Sequence, residues 1–133
     1  MKKSKMRRVI IVSMIVALFL CTVPAVFAAS YNYVATFPMY KDHTTIVSGT
    51  KSSQYTVRAM NEITGPSEST CGYFWIDLTP GSNQITSTTY CEYGVNWIDY
   101  DEGLSITGTM YLRGQAGSWA LRTHEVSGKI NFG

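Results

Sequence analysis

Cys71 and Cys91 bracket the stretch CGYFWIDLTPGSNQITSTTYC, which reads as a β-hairpin closed at its open end by a disulfide. The two cysteines are equidistant from residue 81, inside the turn-forming run Thr79-Pro80-Gly81-Ser82-Asn83. Pro80 pre-sets φ for the first turn position and Gly81 tolerates positive φ, which suits a hairpin loop of three or five residues. The strands are then expected over residues 71–78 and 84–91. Directly opposed residues of an antiparallel pair lie within the Cα range that a disulfide spans. Closing a loop of this length would contribute about 3 kcal/mol in the chain-entropy account. A single bulge would shift the register by one residue and remove the pairing. On this register Tyr73 and Trp75 share the face of the disulfide, opposite Thr89 and Ser87. Phe74, Ile76 and Leu78 form the opposite, fully apolar face, which is the better core face.

The N-terminus reads as an export signal over residues 1–28, leaving a β domain over residues 29–133. Lys2, Lys3, Lys5, Arg7 and Arg8 form the charged region, residues 9–20 the apolar core, and Pro24 with Val26-Phe27-Ala28 the breaker and cleavage site. A retained anchor is the rival reading, since residues 9–28 just suffice to span a bilayer. Cys21 follows Leu20 rather than a small residue, which argues against lipidation. Two cysteines then remain in the exported chain, an even count suited to an oxidising compartment. Five of the 11 basic residues leave with the signal, so six face nine acidic ones, a net charge of about −3. That removes the electrostatic basis for a nucleic-acid partner or an anionic membrane, and membrane contact is expected only during export.

Beyond residue 30 the chain carries no long helical periodicity. Short alternating, β-branched and aromatic runs dominate, punctuated by Gly, Pro, Asn, Asp and Ser. Strands are expected over residues 31–37, with Tyr31, Tyr33, Ala35 and Phe37 on one face, and over 43–48 and 54–60. Residues 48–53 read as a loop and 61–70 as the longest connection. Residues 93–100 and 104–113 read as a pair around Asp101-Glu102-Gly103, with Met110 and Leu112 facing inward. A turn at 114–117 would set Leu112 against Trp119 and Met110 against Leu121, and a last strand over 125–132 is interrupted by Gly128. The expected fold is all-β: a single antiparallel β-sandwich or flattened barrel of about eight or nine short strands with one disulfide.

Chemistry is sparse. His43 and His124 are the only histidines, and no nucleophile turn of the G-x-S-x-G type accompanies them. With the cysteines paired, zinc would lack ligands, and no cofactor is expected. Asp99, Asp101 and Glu102 could offer oxygen ligands to calcium, although the same residues are good turn formers. Nine Tyr and three Trp are the most suggestive feature. Tyr73 and Trp75 lie under a neighbouring loop, pack on the disulfide, or stand exposed as a platform for sugar rings or a protein partner.

The run Met110-Tyr111-Leu112-Arg113-Gly114, continued through Ser118-Trp119 to Val126-Ser127-Gly128, together with Phe74-Trp75, resembles a family of small secreted proteins of Gram-positive bacteria of unknown function. The resemblance implies secretion and a β-rich fold, and it brings no catalytic residues. The expectation is a non-enzymatic, extracellular binding or interaction module for a cell-surface glycan or protein. The alternative is an antimicrobial, bacteriocin-like or toxin-like secreted protein, against whose membrane-disrupting form the acidic exported chain argues.

Overall fold

The computed structural model describes residues 28–37, 42–117 and 123–133. The export segment, Cys21, and the expected partners Ser118, Trp119 and Leu121 lie outside the described residues. Nine strands are present among the described residues: β1 (Ser30–Phe37), β2 (His43–Lys51), β3 (Arg58–Gly65), β4 (Cys71–Thr79), β5 (Ser82–Gln84), β6 (Thr89–Glu92), β7 (Gly94–Asp99), β8 (Gly108–Ala116) and β9 (His124–Asn131). They form two antiparallel sheets, ordered β1-β9-β3-β7 and β2-β8-β4-β5, with β6 also paired to β4. Apart from the β4-β5-β6 run, every connection crosses from one sheet to the other.

The alternation of β1 works as its sequence suggests. Tyr33, Ala35 and Phe37 are buried, and Phe37 packs on Phe74 of the facing sheet with ring centroids 5.7 Å apart. Phe74, Ile76, Met110, Leu112, Ile63, Ile98, Val126, Ile130 and Phe132 complete the core between the sheets. Each fully buried side chain of this size contributes about 1.5–3 kcal/mol of transfer free energy. Gly128 does not interrupt β9. It sits opposite both Tyr33 and Ile63, and a Cβ there would lie 2.3 Å from the Glu62 carbonyl oxygen, so glycine admits a close strand approach.

The central hairpin forms, but its register excludes the expected disulfide. Thr79 opposes Ser82, so Pro80 and Gly81 are a two-residue loop, with Gly81 at φ 81°. The even loop slips the pairing by one residue. The second strand then breaks at residues 85–86, where Ile76 N–H bonds the Thr86 hydroxyl (2.9 Å) instead of a carbonyl. Ile85 accepts from Asp101 and Thr86 bridges to Tyr100, carrying the chain toward the other sheet. When pairing resumes, Cys71 opposes Glu92 and Gly72 opposes Cys91. The cysteines therefore lie on opposite faces of the sheet. Both are free thiols, Cys91 buried in the core and Cys71 half-buried.

Other expectations shift as well. Residues 61–65, expected as connection, belong to β3, because buried Asn61 accepts a hydrogen bond from the Tyr33 hydroxyl (2.8 Å). Residues 104–107 are not strand, and residues 114–116 extend β8 rather than turning. β7 and β8 are not a hairpin, since β7 pairs with β3 and β8 with β2 and β4.

Candidate functional site

The outer faces of the two sheets carry the side chains that the core does not use. On the outside of β4, β8 and β2, the register sets Trp75 opposite Arg113 and Arg113 opposite Thr45. Arg113 Nη1 donates to Thr45 Oγ1 (2.8 Å), and Nη2 meets His43 Nδ1. Arg113 Nε stands 3.9 Å from Asp77 Oδ2, an ion contact too long for a hydrogen bond. Asp77 is 2% exposed, and burial holds its carboxyl above the usual range against the pull of Arg113, His43, the Gly81 N–H and Trp75. His43 stands edge-on to Trp75 with ring centroids 5.7 Å apart. Trp75 is 8% exposed in this setting, so it offers no stacking face to a ligand. Tyr73 is half-buried and leans on Tyr90, with centroids 5.2 Å apart.

The outside of β3 and β7 is different. β7 is an edge strand on which Val95 and Trp97 are 55% and 51% exposed, and Tyr93, at the bend just before it, is 46% exposed. Trp97 opposes Met60, and the Arg58 guanidinium lies 5.7 Å from its ring centroid, a distance at which cation–π attraction steadies an exposed indole. The charges on this face neutralise one another. Arg58 pairs with Asp99 (3.3 Å) and Lys129 with Glu62 (2.9 Å). Beside Trp97 a groove of about 300 Å³ is lined by Ser53, Thr56, Met60 and Asn131.

The remaining expected residues do not converge on chemistry. Asp99, Asp101 and Glu102 line one cleft with Val57, Tyr100 and Leu104, and Asp99 pairs with Arg58 at its edge. No group of three His, Cys, Asp or Glu side chains is placed to hold a metal among the described residues. His124 opens β9 and stands edge-on to Phe37. The Trp97 face was missed, although Tyr93-x-Val95-x-Trp97 is a visible alternation. Ile98 sits on the opposite face, and nothing in the run says which set faces the core.

Compared with known proteins, the chain matches no family model, no curated protein and no solved structure, so its function is argued from its own geometry.

Proposed function

We propose that the chain is exported, cleaved after Ala28, and acts outside the cell as a binding module for a surface polysaccharide. The carrying observation is the exposed pair Val95 and Trp97 on edge strand β7, with Tyr93 exposed at the bend just before it. Edge strands with open apolar rows invite aggregation and are usually blunted by charge or proline. A row kept open on one face marks a contact surface. Sugar rings suit it, because their C–H faces stack on indole while their hydroxyls hydrogen-bond to polar groups beside it. Thr56, Ser53 and Asn131 supply such groups beside Trp97, and the paired charges leave no excess for an acidic polymer.

The test is capture of the exported protein by cell-wall polysaccharide fractions and on a glycan array, wild type beside Trp97→Ala. Capture on polysaccharide that falls about tenfold or more in the variant is expected, since base-free aromatic stacking at a binding centre carries hot-spot energies. Equal capture of both proteins would refute the reading, and capture on wall protein alone would reassign the partner.

A further inference from the structure

The described residues carry more carboxylates than cations, and two of the carboxylates that form no ion pair line one cleft, as Asp101 and Glu102 line another. Each described cation is engaged: Arg58 with Asp99, Lys129 with Glu62, Arg113 with Asp77, and buried Lys51 with the Ser53 carbonyl oxygen and the Tyr100 ring. Glu68 and Glu92 are exposed and form no ion pair among the described residues. Both line a cleft of about 500 Å³ whose other walls include Tyr90 and Tyr93.

The rim of this cleft is held. On one side Thr70 N–H bonds the Ser67 carbonyl (3.0 Å), and Ser67 N–H bonds the Thr70 hydroxyl (3.1 Å), fixing the turn that carries Glu68. On the other, the Asn96 carboxamide accepts from Glu92 N–H (3.1 Å) and donates to the Glu92 carbonyl (2.7 Å). Tyr73 backs Tyr90 from the sheet side. Tyr90 and Tyr93 are 47% and 46% exposed, so their rings are open to a ligand.

We propose that this cleft binds an organic ammonium group, with the Glu68 and Glu92 carboxylates supplying charge and the Tyr90 and Tyr93 rings supplying cation–π contact. The carboxylates call for a cation, and the rings select its kind. A metal ion needs converging oxygen ligands, which the described residues do not assemble, whereas an organic ammonium needs no such set and gains from aromatic faces. The volume falls in the range of small-molecule sites. Two sources present this chemistry, a choline-type quaternary headgroup and a lysine-type primary amine. The site shares only Tyr93 with the Trp97 face and stands whether or not that face binds polysaccharide.

The test is titration of the exported protein with choline chloride, butylammonium chloride and sodium chloride, following the backbone amide resonances of Ser69, Thr70, Glu92 and Tyr93. Saturating shifts are expected with one or both organic cations and only small, unsaturating ones with sodium. Tighter binding of choline assigns the quaternary source and tighter binding of butylammonium the primary amine. The double variant Glu68→Gln, Glu92→Gln should bind about tenfold more weakly, and Tyr93→Leu about two- to fivefold. Trp97→Ala should titrate as wild type, which separates this site from the polysaccharide face. Sodium shifts equal to those of the organic cations, or wild-type titration by the double glutamine variant, would overturn the proposal.

Discussion

Trp75 and Trp97 both point away from the core, yet one is closed and the other open. Trp75 lies on β4, a strand flanked on both sides, where His43, Arg113 and Asp77 enclose it. Trp97 lies on β7, at a sheet edge, with Met60 and Arg58 beside it and an open groove along its flank. The residue type does not decide exposure. Strand position and the neighbours across the register do, and a platform is kept where one flank is missing.

The largest test of that contrast is stability. Trp75→Ala should cost about 3–5 kcal/mol, because it empties an enclosed site and uncovers the Asp77–Arg113 contact. Trp97→Ala should stay within about 0.5 kcal/mol of wild type. Urea unfolding of both variants checks this, and equal losses would abolish the distinction between the faces. The two arginines sharpen it further. Arg113→Ala strands a buried carboxylate and should cost about 3–5 kcal/mol, whereas Arg58→Ala breaks an exposed pair and should cost less than about 1 kcal/mol in the same measurement.

Acid adds a signed effect confined to the closed face. The Asp77 carboxyl is raised above 3.8 in the fold, so the folded state holds that proton more tightly than the unfolded chain does. Its contribution to stability is present in full below 3.8 and is lost as pH rises through the folded value. The stability of wild type relative to Asp77→Asn should therefore improve as pH is lowered toward 3.8. Denaturation midpoints of the pair across this range give the sign, and a trend in the other direction would mean that Arg113 outweighs burial.

These contrasts also show what was legible beforehand. The inward set Phe74 and Ile76, the β1 alternation and the Pro80–Gly81 turn follow from local pattern and chain chemistry. The cysteine pairing failed because it required the parity of the register, and parity depends on one residue of loop length plus the break at Thr86. The boundaries of β3 and β8 failed because tertiary partners set them: the Tyr33 hydroxyl gives polar Asn61 a buried place, and β8 pairs with two strands remote in sequence. Trp75 was nominated and Trp97 overlooked for the same reason, since alternation names two faces but not what lies beside them.

The smallest expected effect concerns the thiols. Burial pushes the Cys91 thiol up to about 11, and its side chain is inaccessible, while Cys71 is half-buried. The native exported protein should take one iodoacetamide adduct, at Cys71, and a second only after unfolding. Intact mass resolves the two states. A Cys71–Cys91 crosslink in the native protein would contradict the register described here.

The most direct test of the open-face account is hydroxyl-radical footprinting of the exported protein, free and bound to cell-wall polysaccharide, read by mass spectrometry at each tryptophan and tyrosine. Trp97 and Tyr93 should oxidise rapidly in the free protein and be protected in the complex, while Trp75 oxidises slowly in both. Rapid oxidation of Trp75, or protection at Tyr73 and Trp75 with Trp97 unchanged, would place the binding surface on the other sheet and contradict the account.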